Sequence, residues 1–319
     1  MTTGDLLVIN NLKKSFQIRD KSGRKNVLRA VDDVSLTIKR GETLGLVGES
    51  GCGKTTLGRT ILRLSEPDSG RIEFAGEDIT RVNMHPYRKR MQIVFQDPYS
   101  SLDPRSRIYN TVEEGLKVNH PYFDVQQRYN IVLGLLESVG LDSRHAYRYP
   151  HEFSGGQQQR IGIARALSVE PEFIVCDEPV SALDVSYQAQ ILSLFKELQE
   201  TLRLTYLFIS HDLSVVRYIS DRVGVMYLGK LIELGDSEEI TKHPAHQYTK
   251  ALLDAVPLTD PRAKRTKEHK MVEDFADFTI PEKGCRYCYL CEKATPKCFE
   301  EEPLLREIAP GHSCACHVV

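Results

Sequence analysis

The chain has 319 residues and a net charge of −2, which suggests about two domains with room for a good core and argues against a general nucleic-acid binder held by a basic surface. No apolar run approaches the roughly 18 residues of a membrane span. The first nine residues lack the basic start and long apolar run of a secretory leader, so the chain is expected on the cytoplasmic side, reaching any membrane through a partner.

Residues 8–16, 27–38 and 70–74 read as a small antiparallel sheet near the N-terminus. The apolar run 43–48 leads into G-x-x-x-x-G-K-T at residues 48–55, and a helix is expected over 57–64. Glycines let such a loop curl its N–H groups toward phosphate oxygens, and the following helix adds its positive end. Gly48, Ser50, Gly51, Cys52, Gly53 and Thr56 belong to this cradle. Lys54 would reach the β- and γ-phosphates, and the Thr55 hydroxyl would ligate Mg²⁺. The pattern alone specifies a nucleoside triphosphate such as ATP.

Further along, 91–96, 173–177 and 206–210 are compact apolar runs suited to buried parallel strands. The stretch 110–149 reads as helical, as do 157–167, 186–202 and 213–219. This is the alternation of an α/β domain. The run 173–177 ends in Asp177 and Glu178. A parallel strand delivers such carboxylates to its C-terminal edge, where ligands bind. Asp177 can hold Mg²⁺ through water, and Glu178 can polarise a water attacking the γ-phosphorus. Taken alone, the pair is also an ordinary acidic strand end. Ser154, Gly155, Gly156 and Gln157 have the form of a capping box opening the helix 157–167. The same four residues expose backbone donors at a helix start, as an incoming phosphate requires.

Gly229 separates 223–228 from 230–234 as a hairpin, and 243–253 is helical after a proline turn. Residues 261–270 are basic, and 271–280 mix acids with phenylalanine. Six of the eight cysteines then follow: Cys285, Cys288, Cys291, Cys298, Cys314 and Cys316. On the cytoplasmic side such clustering favours a metal over disulfides. Sulfur ligation suits Zn²⁺, with His312 and His317 as further ligands, or an iron–sulfur cluster. Free thiols are the third reading.

With every motif in order, residues 6–235 resemble the nucleotide-binding subunit of ATP-binding cassette (ABC) transporters. The resemblance implies an α/β fold: a phosphate-loop (RecA-like) core with an antiparallel β subdomain and a helical subdomain at about 98–160. It makes 1–235 the nucleotide-binding domain and 236–319 a C-terminal extension. It implies that Phe16 stacks on adenine and that Gln96 senses Mg²⁺ and the attacking water. Ser154 to Gln157 would cover the nucleotide of an opposing subunit. Asp184 would lie in the loop crossing that interface, and His211 would contact the γ-phosphate. Lys54, Gln96, Glu178 and His211 would be the catalytic set, with Thr55, Gln96 and Asp177 around Mg²⁺.

Residues 96–105 and 243–253 further resemble the second, F-type ATPase of oligopeptide/dipeptide importers, with Asp103 where asparagine is more usual. That likeness implies a different homologous ATPase as dimer partner, two permease subunits, an extracytoplasmic binding protein, and a place on the cytoplasmic face of the membrane. It also implies a [4Fe-4S] cluster on Cys285, Cys291, Cys298 and Cys316, with Cys288 and Cys314 as alternatives. Nickel and glutathione importers share the wording. A soluble ABC ATPase acting on DNA or ribosomes usually carries two cassettes or a long coiled coil, and neither is seen in this sequence.

Overall fold

The computed structural model describes residues 4–19, 23, 25–255 and 283–319. The basic stretch 261–270 and the acid–phenylalanine stretch 271–280 lie outside the described residues. The chain forms two compact units that interleave in sequence. One comprises Lys39–Glu42 and Arg81–Ile209, and the other Asp5–Ile38, Thr43–Thr80 and Ser210–Val319.

In the first unit the strands Met91–Val94, Phe173–Asp177 and Thr205–Ser210 are parallel, with Phe173–Asp177 in the middle. Every residue of Phe173–Asp177 and Thr205–Ser210 is buried, as their unbroken apolar runs require. The helices Ile108–Asn119, Val125–Ser138 and Gly155–Leu167 pack on one another. The helical stretch expected at 110–149 is thus two helices followed by a 3₁₀ turn, Ser143–Tyr147. Asp124 and Gln127 form a capping box that starts the second helix. Arg128 pairs with the buried Glu113 and ties the first two helices together, while Lys117 pairs with the same carboxylate from within the first helix.

The second unit contains two sheets. One is antiparallel, with Lys25–Lys39, Asp5–Arg19, Ser69–Phe74 and Glu77–Asp78 in that order. Its two long strands outrun the apolar alternation in the sequence because their outer ends are exposed. Backbone pairing continues there without a buried face to select apolar residues.

In the other sheet, Thr43–Val47 pairs parallel to Arg222–Tyr227. Lys230–Asp236, His312–Cys314 and Arg306–Ala309 follow in antiparallel order. Leu228 and Gly229, with φ of 46° and 85°, make the two-residue turn of the expected hairpin. Val47, Val216, Val225, Tyr227, Tyr248 and Tyr287 belong to one buried cluster beneath this sheet.

Candidate active site

The fully buried strand Thr43–Val47 delivers the phosphate loop. A Cβ on Gly48 would fall 2.2 Å from the Met226 carbonyl oxygen, and one on Gly53 would fall 1.9 Å from that of Ala30. Gly53 also has a φ of 109°, so both positions need glycine. Gly51 adopts the left-handed region as well, with a φ of 80°.

Lys54 opens the helix Lys54–Ile61, three residues earlier than the sequence suggests. Its side chain is buried, and its Nζ donates to the carbonyls of Gly48 at 2.7 Å and Glu49 at 2.8 Å. The ammonium is therefore folded back against the start of the loop. Thr55 and Thr56 follow in the first helical turn, which carries no acidic side chain to cancel the positive helix end. Cys52 is buried with its thiol pushed up by desolvation, while Ser50 is exposed. The loop has the steric and electrostatic form of a polyphosphate cradle.

Burial pushes the Glu49 carboxyl up from 4.5 to about 7, against the pull of Lys54. A carboxyl raised by folding contributes stability that is full below its unfolded value and lost as pH rises through its folded value. The Glu49→Gln variant lacks that loss. Its melting temperature relative to the parent chain is expected to improve as pH rises from 4.5 to about 7, whereas a pH-independent difference would contradict the assignment.

The loop is held from outside by residues whose contacts with it no sequence motif announces. The Gly229 N–H donates to the Cys52 carbonyl at 2.8 Å, and the Asp32 N–H donates to the Gly229 carbonyl at 2.9 Å. The Arg286 guanidinium reaches both the Leu228 carbonyl and the Asp32 carboxylate. The Glu49 N–H donates to the Tyr248 hydroxyl at 3.0 Å. Only Gly229, the hairpin glycine, left a local sign in the sequence.

In the first unit, Asp177 is buried at the end of its strand. Glu178 follows in the left-handed region at a φ of 48°, and its N–H donates to the Ile209 carbonyl at 3.0 Å. The Gln96 Nε2 donates to Glu178 Oε2 at 3.3 Å, so the two are brought together. Ser154 and Gln157 form the expected reciprocal cap: the Gln157 N–H donates to Ser154 Oγ at 3.4 Å, and the Ser154 N–H donates to Gln157 Oε1 at 3.0 Å. The helix they open runs Gly155–Leu167.

Asp184 caps the next helix, Val185–Leu202, by accepting from the Tyr187 N–H at 3.2 Å. Hydrogen bonds from Ser186 and Tyr187 hold its carboxyl below the usual range. A Cβ on Gly156 would lie 2.8 Å from the Tyr187 ring, so that glycine lets the two helix starts pack closely.

Phe16 and His211 belong to the second unit with the loop. Phe16 is exposed on its strand, with the Lys14 ammonium 5.3 Å from the ring centre. His211 is exposed directly after Thr205–Ser210 and precedes Asp212, which caps the helix Leu213–Ile219.

Residues 31–181 match the family of ABC transporters, and residues 232–298 match the C-terminal region of oligopeptide/dipeptide transporters. The oligopeptide transport ATP-binding protein AppF of Bacillus subtilis is 50% identical over 320 residues, covering 98% of this chain and 97% of that protein. This chain belongs to the ABC transporter ATP-binding family, in its oligopeptide/dipeptide branch. The oligopeptide transport ATP-binding protein OppF of B. subtilis is 53% identical over 269 residues, 83% of this chain and 87% of its own.

Among solved structures, CbiO1 of Clostridium perfringens superposes with a TM-score of 0.65 at 29% identity, covering 75% of this chain and 91% of its own. A dimeric post-hydrolysis cassette bound to ADP and Pi gives 0.65 at 28% identity, covering 72% and 98%. The phosphate-loop core, the antiparallel sheet and the helices are therefore those of an ABC ATPase, as the motifs imply.

The C-terminal region of this ABC ATPase places Cys285, Cys288, Cys291, Cys298 and Cys316 around one small cavity, together with His317. Cys314 is buried on the strand His312–Cys314, opposite Glu233, and does not line the cavity. His312, considered as a zinc ligand from the sequence, instead lies with its Nε2 2.8 Å from the Glu233 carboxylate. All eight cysteines are free of disulfides, and burial pushes the Cys285 thiol up to about 12. Among the described residues, no group of three or more His, Cys, Asp or Glu is arranged to hold a single metal ion.

Proposed function

We propose that this ABC ATPase hydrolyses ATP to power import of di- or oligopeptides through a membrane complex. The observation that carries the reading is the 50% identity to AppF along the whole chain, C-terminal region included. Residues 1–235 act as the nucleotide-binding domain, with its helical part at about 98–160, and residues 236–319 as the importer-type extension.

Gly48, Ser50, Gly51, Cys52, Gly53, Lys54, Thr55 and Thr56 bind the phosphates, and Phe16 stacks on adenine. Ser154, Gly155, Gly156 and Gln157, with Asp184, serve the nucleotide of the opposing subunit. Glu178 polarises the attacking water, positioned with Gln96, and His211 contacts the γ-phosphate. Thr55, Gln96 and Asp177 would hold Mg²⁺, which supplies neutralising charge at the phosphates when bound. Two cassettes close on ATP because the closed pair binds it better than the open one, and loss of the γ-phosphate removes that preference.

The dimer partner is a second, different ATPase of this family. Two permeases and an extracytoplasmic binding protein complete the importer, and the chain sits on the cytoplasmic face. No helix among the described residues is long and apolar enough to cross the membrane; in this reading the permeases supply the passage. In vesicles reconstituted with these partners, a peptide-loaded binding protein should stimulate ATP hydrolysis and labelled-peptide uptake. Uptake of nickel or glutathione instead of peptide would overturn the substrate, and hydrolysis indifferent to the permeases would favour a soluble ATPase.

The cysteines are proposed to hold a structural [4Fe-4S] cluster through Cys285, Cys291, Cys298 and Cys316, with Cys288 on the same cavity as the alternative. Cys285, Cys288, Cys291, Cys298 and Cys316 line one cavity, and thiolate sulfur suits an iron–sulfur guest. The guest would staple a tail too small to fold by core burial alone. Visible absorption with matching iron and acid-labile sulfide is expected from protein purified without oxygen; a colourless protein with stoichiometric zinc would refute the cluster.

A further inference from the structure

Tyr248 lies on the helix Gln247–Ala255, in the C-terminal part of the chain. Its hydroxyl accepts from the N–H of Glu49, the residue that follows Gly48 in the phosphate loop. The start of this helix is fixed by Glu233, whose side chain is fully buried on Lys230–Asp236. That carboxylate accepts from the N–H groups of Ala245 at 2.7 Å and His246 at 3.0 Å, and from the Thr249 hydroxyl. It also meets His312, 2.8 Å away on the strand His312–Cys314.

The Tyr248 ring is itself buried, with its centre 4.5 Å from that of Tyr227 and 5.5 Å from that of Tyr287. Tyr287 stands between Cys285 and Cys288 and lines the cysteine cavity. A hydroxyl held at one end of a packed aromatic group thus grips the backbone of the phosphate loop. At the other end the same group touches the wall of the cysteine cavity.

We propose that Tyr248 is a positioning residue for nucleotide binding, and that it couples the cysteine-lined module to the phosphate loop through Tyr287. The proposal rests on the reading of the phosphate loop as the nucleotide site. An anchor already in place lowers the ordering cost that the loop meets when the nucleotide arrives. Whatever fixes Tyr287 then fixes Tyr248, and with it the start of the loop.

The test is calorimetric binding of MgATP to the full chain. Tyr248→Phe keeps the ring and deletes one hydrogen bond, so affinity should fall about three- to tenfold. Iron, zinc and sulfide content should not change. Tyr287→Leu should weaken binding in the parent chain and add little in the Tyr248→Phe background, since residues acting through one contact are non-additive.

Unchanged affinity in Tyr248→Phe, with binding abolished in Lys54→Ala, would overturn this proposal and leave the nucleotide site standing. A lower melting temperature with unchanged affinity would make Tyr248 a packing residue only, which also overturns it. Binding retained in Lys54→Ala would remove the nucleotide site and the proposal together. Additive effects of the two tyrosine changes would refute the coupling.

Discussion

Glu178→Gln is expected to lower ATP turnover by about 10²–10⁴-fold or more while leaving ATP binding intact. The amide has the shape of the carboxylate, so the neighbouring structure should persist. That structure includes the N–H bond to Ile209, the turn that accepts Ser181 at the Glu178 carbonyl, and the place beside Gln96. What is lost is a basic carboxylate oxygen, which the proposed role needs to orient and polarise water. Because hydrolysis is what reopens the closed pair, the variant should accumulate as an ATP-dependent ATPase dimer. Single-turnover kinetics with size-exclusion chromatography would read both effects, and undiminished turnover would remove Glu178 from its proposed role.

Asp32→Ala should cost about 3–5 kcal/mol of stability, because it strips a buried cation of its partner. Asp32 is 7% exposed and Arg286 equally so. The two are ion-paired, with Lys230 3.8 Å and Arg29 3.9 Å from the same carboxylate. Desolvation pulls the Arg286 pKa down, and Asp32 opposes that pull. Arg286→Met should cost less, since Lys230 and Arg29 still face Asp32. Denaturant unfolding of the two variants would rank them, and a loss below about 1 kcal/mol for Asp32→Ala, the value of an exposed pair, would contradict the buried-pair account.

The parts of the site that were legible in the sequence are those written within a few adjacent residues. The loop from Gly48 to Thr55 is one, because backbone curl and phosphate chemistry both demand those residue types in one run. The Ser154–Gln157 cap and the Asp177–Glu178 strand end are likewise local. Tyr248, Asp32 and Arg286 were invisible because their roles depend on partners far away: Asp32 and Arg286 are 254 residues apart. Glu233 reads as one acid in a strand, yet it organises a helix start and a second strand.

The tail strands Arg306–Ala309 and His312–Cys314 span only four and three residues. That is too short for a period of two to stand out, so the sequence shows metal-ligand residues in the tail but no strands. The helix Lys54–Ile61 starts before its apolar periodicity because a phosphate-loop helix begins at the lysine, not at its first buried leucine.

The proposed boundary after residue 235 divides the chain into a cassette and a C-terminal extension, but the sheet does not respect that division. His312–Cys314 completes the edge of Lys230–Asp236, and its histidine satisfies the carboxylate buried on that strand. A chimera grafting a foreign tail after residue 235 would therefore inherit an open strand edge and an unpaired acid in its interior. The tail is thus built into the sheet and into the surroundings of Glu233. Its loss or exchange would have to be accompanied by changes at Glu233 and along that edge, so lineages without the tail should carry a different residue at the Glu233 position.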